Sequence, residues 1–183
     1  MSPDDGSTVD TGAADAVEVT TWHLEITDPS DVPGAKPPMV PAQFVVGHRP
    51  TVAYCRWLYA YIGKPWHWTG RRNWTDDEWL RHIGHAGYHL VTCVVGGTPA
   101  GYVEYVNADG DVEIKSFGLA TDVHGRGLGG WFLAEAVEYA FSLPDARRVW
   151  LQTYSLDGPH ARANDEARGF RLFKTEKSWQ VLD

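Results

Sequence analysis

The feature that most constrains this chain is the stretch His124-Gly125-Arg126-Gly127-Leu128-Gly129-Gly130. It follows a run that reads as a strand, Asp111 to Leu119, and opens one that reads as a helix, Leu128 to Ser142. Glycines at such a junction let the backbone turn tightly and aim several N–H groups at one spot. The first turn of the helix adds its own unpaired N–H groups and the positive end of the helix dipole. Strand, glycine loop and helix in that order make a seat for a phosphate or pyrophosphate. A phosphate-bearing cofactor is therefore expected.

The rest of the chain supplies the frame for that junction. Val17 to Ile26 reads as a strand, and Thr27 to Pro41, rich in Pro and Asp, as a loop. Val52, Cys55, Leu58, Tyr59 and Ile62 recur at helical spacing within Pro50 to Ile62. Gly63 to Asn73 is a loop dense in aromatics. Thr75-Asp76-Asp77-Glu78 has the form of a capping box and starts a short helix, which Gly84 and Gly87 end. Tyr88 to Val95, Pro99 to Asn107 and Asp111 to Leu119 form a meander, with hairpin turns at Gly96-Gly97 and Asp109-Gly110. Leu128, Phe132, Leu133, Ala136, Val137, Ala140 and Phe141 make a wide apolar stripe on the next helix, and Pro144 stops it. Arg148 to Tyr154 is a further strand, Pro159 to Arg168 a short helix closed by Gly169, and Phe170 to Leu182 supplies two final strands. This predicts one mixed α/β domain, α+β in arrangement, over residues 17–183: a mostly antiparallel sheet of six to seven strands flanked by about four helices. Residues 1–16, small, polar and acidic, read as a disordered tail.

Composition narrows the partners. A formal net charge of −8 argues against a nonspecific grip on nucleic acid or an anionic membrane, and weakly favours a cationic substrate. The apolar runs are too short to span a bilayer, and the acidic N-terminus does not read as a signal peptide. Cys55 and Cys93 form no disulfide framework, so a cytoplasmic location is expected, with both packed as small apolar groups.

Rival readings of the glycine loop fit less well. Gly125-x-Gly127-x-x-Gly130 matches the dinucleotide fingerprint, but that fingerprint starts its domain and leads several further strand–helix units, whereas little chain remains here. No Lys-Ser/Thr pair follows, so the loop is not of the Walker type. His82, His85 and His89 straddle a helix end and have no Cys or carboxylate cluster beside them, so no metal is expected. Ser155, Asp157 and His160 crowd one short loop without a nucleophile elbow.

Glu113-Ile114-Lys115-Ser116-Phe117-Gly118-Leu119, then His124 to Gly130, then Arg148 to Phe170, resemble the GNAT superfamily of N-acetyltransferases. The family signature is Arg or Gln, two residues, Gly, one residue, Gly or Ala; His124-x-x-Gly127-x-Gly129 matches it with His in first place. The resemblance implies acetyl-CoA as the acyl donor. His124, Gly125, Arg126, Gly127, Leu128, Gly129 and Gly130 would hold its pyrophosphate, and the backbones of Phe117, Gly118 and Leu119 would line the pantetheine arm and thioester. It implies direct attack by a primary amine of a small molecule or peptide, with Trp66, His67 and Trp68 covering the acceptor site. A longer acyl donor and a non-catalytic acyl-CoA-binding module remain alternatives, and a homodimer is left open.

Acyl transfer to an amine needs a proton acceptor, and Glu113 and Glu104, on neighbouring strands of the meander, are the candidates. The family commonly carries Asn at the position of Gly158 and, at that of Asp165, a Tyr assigned as the acid for the leaving thiolate. An exposed Asp has a pKa of about 4 and cannot donate at neutral pH. Either Asp165 is strongly perturbed, or Tyr154 or water serves as the acid, or none is required; Asp165→Asn is expected to cost less than about fivefold in kcat, under about 1 kcal/mol. Among the aromatics, Trp79 is expected in the core.

Overall fold

A computed structural model describes residues 16–181. The expected tail falls outside this range except for Ala16, which begins the first strand. The strands are β1 (Ala16–Ile26), β2 (Ala42–Gly47), β3 (Tyr88–Val95), β4 (Thr98–Ala108), β5 (Asp111–Leu119), β6 (Arg148–Tyr154) and β7 (Arg171–Val181). The helices are α1 (Val52–Gly63), α2 (Asp76–Ile83), α3 (Leu128–Phe141) and α4 (Ala161–Glu166). One seven-stranded sheet runs in the order β2-β3-β4-β5-β6-β1-β7. All neighbours are antiparallel except β5 and β6, which α3 joins by a crossover. Two elements differ from the sequence reading. Ala42–Gly47 is a strand that pairs with β3, and the C-terminal segment is one long strand where two were expected. β2 is short and lies at the sheet edge, so alternation over its few residues gives little signal. The last segment stays unbroken because β1 offers it a partner along its length, from Arg171 to Val181.

Local chemistry explains most boundaries. Thr51 Oγ1 accepts from Tyr54 N at the start of α1. At α2 the capping box is complete: Thr75 N donates to Glu78 Oε2 at 2.7 Å and Glu78 N to Thr75 Oγ1 at 3.3 Å. The hairpins turn at Gly96 and Gly97, with φ 58° and 83°, and at Asp109 and Gly110, with φ 52° and 91°. Both have the left-handed pairs that match the twist of antiparallel strands.

Helices cover both faces of the sheet. Adjacent residues on β4 point to opposite sides: Glu104 meets Arg71 from the α1–α2 loop, whereas Tyr105 donates to Ala136 O on α3 at 3.0 Å. The cores on the two sides hold Leu58, Ile62, Trp79 and Tyr102 on one face, and Tyr105, Phe132, Leu133 and Val137 on the other.

β5 and β6 pair only from Asp111 to Ile114 and from Arg148 to Leu151. Beyond that, Ser116–Leu119 pair with β4 alone and Gln152–Tyr154 with β1 alone. The cause of the parting lies in the register of β4 and β5. Glu104 opposes Ser116 and Tyr105 opposes Ile114, which leaves Lys115 as an extra residue. Such a bulge bends its strand and increases the local twist. It falls one residue after the last β5–β6 pair, so the two strands diverge into a wedge.

The start of β6 is tied to the β4–β5 turn by Arg147 N and Arg148 N, which both donate to Gly110 O. A Cβ on Gly110 would lie 2.3 Å from Asp145 O. Gly110→Ala is expected to lose at least about 2 kcal/mol, from left-handed strain and that clash together. The check is a lower urea midpoint at unchanged slope.

Candidate active site

The glycine loop forms as the spacing requires. Gly125 and Gly127 take φ 75° and 74°, and Gly127 is the N-cap of α3 with no side chain capping the helix. The first N–H groups of α3 therefore face outward without intrahelical partners. Met39 N donates to Arg126 O at 3.0 Å, which fixes the loop against the proline-rich segment before β2. Adjoining the first turn is Arg168, which sequence reading missed. Its guanidinium lies 3.4 to 3.8 Å from where a Cβ of Gly130 would stand, so the missing side chain makes room for it. Arg168 Nε is buried and meets no acceptor among the described residues. A guanidinium beside the positive end of a helix is unfavourable unless an anion is shared between them. The donor set thus fits a phosphate group. No motif marks Arg168, because only the packing of α4 on α3 brings it here.

Phe117, Gly118 and Leu119 occupy the β5 arm of the wedge. Phe117 stacks on Phe132 of α3 at 5.4 Å, and Gly118 faces the other side. A Cβ on Gly118 would meet Ile62 at 2.6 Å and Trp68 at 3.4 Å, so the glycine lets α1 and the aromatic loop lie directly on β5. Trp66 and Trp68 part company at His67, which has left-handed φ 54° and is itself exposed. Trp68 packs on Tyr59 and Tyr102, whereas Trp66 stacks on His124 and presses on Gly158. Trp79 is fully buried, as its spacing predicts.

The two candidate bases have different surroundings. Glu104 is 1 % exposed. It accepts from Arg71 at 2.6 Å and from the Tyr88 hydroxyl at 2.8 Å, with His82 Nε2 at 3.5 Å. Burial opposes its ionisation, but the nearby His82 and the Arg71 guanidinium outweigh that and pull its pKa down to about 2. Arg71 also lies over Tyr59 and Trp74, 5.2 and 5.1 Å from their ring centres. A carboxylate this enclosed and this firmly ionised is a poor proton acceptor; it pins the aromatic loop to the sheet instead. Glu113 is half-buried next to the base of the wedge, with Lys115 Nζ at 2.9 Å. Alternation puts Trp150, Gln152 and Tyr154 on one face of β6. The Tyr154 hydroxyl donates to Gln152 Oε1 at 2.7 Å. Burial, then the charges of Asp157 and Glu113, raise the Tyr154 pKa, so it stays protonated.

Asp165 departs most from expectation. It is 6 % exposed, not open to solvent, and no cation among the described residues pairs with it; Arg162 pairs with Glu166 instead, at 2.9 Å. Burial, followed by the charges of Asp157 and Glu166, raises its pKa to about 8. Asp157 keeps two donors, Tyr154 N at 2.7 Å and Thr153 Oγ1 at 3.0 Å. The raised pKa favours the protonated acid at neutral pH, the strongly perturbed alternative, over the exposed and ionised one.

The histidines do not converge. His82 lies against Glu104, and His89 Nδ1 is 3.4 Å from the Tyr139 hydroxyl. No group of three or more metal-ligating side chains occurs among the described residues. No described helix is long and apolar enough to cross a membrane.

A parted parallel strand pair that feeds a glycine loop at a helix start defines a class of fold, and sequence comparison names it. Residues 52–170 match the Acetyltransferase (GNAT) family, and the chain belongs to that family. No curated protein matches by sequence. Among solved structures, a GCN5-related N-acetyltransferase from Sphaerobacter thermophilus aligns with TM-score 0.64 and 16% identity, over 86% of this chain and 49% of its own. A GCN5-related N-acetyltransferase from Kribbella flavida aligns at 0.58 and 19%, over 85% and 55%. An aminoglycoside acetyltransferase from an uncultured soil metagenomic sample, in complex with sisomicin, aligns at 0.55 and 10%, over 69% and 85%. The chain spans about half the length of the first two.

The buried ion pair makes a stability prediction. Glu104→Gln leaves Arg71 buried without its charge partner, at a cost of about 3 kcal/mol at neutral pH. The Glu104 pKa falls on folding, from 4.5 to about 2. Its stabilisation is therefore present above about pH 4.5 and is lost as pH falls through about 2. Urea unfolding from pH 7 to 2 should show the difference between wild type and variant shrinking over that range.

Proposed function

We propose that this protein transfers an acetyl group from acetyl-CoA to a primary amine of a small molecule or peptide. The observation that carries the reading is the buried Arg168 Nε, which has no partner among the described residues, beside the uncapped glycine start of α3 at the head of the wedge. When bound, the donor would supply an activated thioester. The N–H groups of Gly127 to Gly130 and the Arg168 guanidinium would hold its phosphates. The backbones of Phe117, Gly118 and Leu119 would line its arm. N–H groups near Leu119 would polarise the carbonyl.

Glu113 takes the proton that the attacking amine must lose, directly or through water, and passes it to solvent. When the donor is bound, Asp165 would supply a proton for the departing thiolate and recover one from solvent. The burial that keeps Asp165 protonated supports this role. CoA thiol, with a pKa of about 8.5, is a fair leaving group, so the acid is needed only in part. The net charge of −8 supports a cationic acceptor, and the sisomicin-bound acetyltransferase among the structural neighbours is of that kind. The two free, buried cysteines are consistent with a cytoplasmic, reducing setting.

Gly129→Asp adds a negative side chain to the first turn of α3, and acetyl-CoA affinity should fall at least tenfold, about 1.4 kcal/mol. Titration calorimetry on the folded variant gives the answer; unchanged affinity refutes the loop assignment.

Two kinetic variants separate the proton roles. Glu113→Gln should lower kcat/KM about 100-fold at neutral pH, with a smaller loss at high pH where more amine is already neutral. Asp165→Asn should lower kcat about tenfold or more with acetyl-CoA affinity intact. In the wild type, kcat should decline as pH rises past about 8, the pKa of Asp165. A loss under fivefold in Asp165→Asn would return the proton to Tyr154 or water.

A further inference from the structure

Trp66 stands where the two sides of the wedge end. His124 Nε2 bonds to Leu119 O at 3.2 Å, the last carbonyl of β5. The Trp66 indole stacks on that imidazole, with centroids 5.8 Å apart and planes 14° apart. The far edge of the indole lies 3.1 to 3.6 Å from where a Cβ of Gly158 would stand, in the loop after β6. Leu119, His124, Trp66 and Gly158 thus form an unbroken line of contacts from the end of one strand to the loop beyond the other. Paired strands lie about 4.8 Å apart, so an extended arm passing between β5 and β6 needs a gap of about twice that. The contact line leaves no such gap at this level.

We propose that Trp66 is a gate on the wedge, closed in this conformation, which must swing aside before an acyl-pantetheine arm can enter. This rests on the acyl-CoA reading above. The gate sits on a short element that can move as a unit. Lys64–Trp66 form a single 3-10 turn between Gly63 and the left-handed His67. Behind it, Trp68 N is anchored to Gly63 O at 3.2 Å, and Arg71 is anchored to Glu104, so displacement of Trp66 need not disturb the core. Opening also frees His124 to release Leu119 O, which can then accept from an amide of the arm. Gly158 belongs to the device, because a Cβ there would stand 3.1 Å from the closed indole, tight enough to press on it.

A gate that is mostly closed lowers the observed association rate by the fraction of time it is open. The test uses the full chain immobilised on a biosensor surface and two ligands, acetyl-CoA and adenosine 3′,5′-bisphosphate extended to the 5′-diphosphate. The second carries the phosphates and lacks the arm. Trp66→Ala should raise the association rate of acetyl-CoA at least fivefold and leave that of the armless nucleotide within twofold. Gly158→Ala, which keeps the indole and tightens its contact to 3.1 Å, should destabilise the closed position and act in the same direction. Equal acetyl-CoA rates in wild type and Trp66→Ala, with armless nucleotide binding intact in both, would overturn the gate and spare the acyl-CoA reading. A slower rate in Trp66→Ala would overturn it too, by making Trp66 part of the binding surface. Failure of both ligands to bind any of the three folded proteins would overturn gate and reading together.

Discussion

The structure turns on a single extra residue. Lys115 has no opposite number on β4, and the bulge it makes bends β5 away from β6 immediately after their last pair. Without that parting, the sheet would be continuous and the glycine loop would sit at the end of a closed strand pair. With it, two strand edges face each other without pairing. Buried backbone N–H and C=O groups are costly to leave unpaired, so such edges need a ligand, water or a side chain. On this chain His124 answers part of the need by bonding to Leu119 O.

Two clusters hold the machinery around the wedge at opposite ends of the energy scale. The Arg71–Glu104 pair is buried, roofed by aromatics and tightly bonded. Breaking it leaves a charge stranded in the interior. It keeps the loop that carries Trp66 and Trp68 against the sheet. Asp165 is the reverse: a buried carboxyl group with no ion-pair partner among the described residues, whose pKa burial and then the charge of Asp157 push up. Both effects favour its neutral form. Stability is spent at the second cluster and recovered at the first.

Gly158 and Asp165, the two departures from the family pattern, have physical explanations once neighbours are known. Gly158 accommodates Trp66, which comes from a loop about ninety residues earlier in the chain. Asp165 has its pKa raised by burial, a property of its surroundings and not of its residue type. Both were opaque to a reading that takes residues one at a time. Glu104 shows the same limit: strand position made it a candidate base, and a cation from a distant loop made it structural.

The sequence by itself determined the elements whose signal is local. The capping box at Thr75, the two glycine hairpins, the apolar stripe of α3 and the glycine loop before it all rest on contacts within a few residues, and all form as read. The family followed from the same stretch, because its backbone demands are met by glycine at fixed spacing. Tertiary structure alone decided that β1 lies between β6 and β7, that a short β2 closes the sheet, and that one strand ends the chain. It also decided which carboxyl group is ionised, where the unpartnered Nε of Arg168 lies, and what fills the mouth of the wedge. Strand partners and pKa values depend on residues far away in sequence, whose distances and dielectric surroundings exist only once the chain has packed.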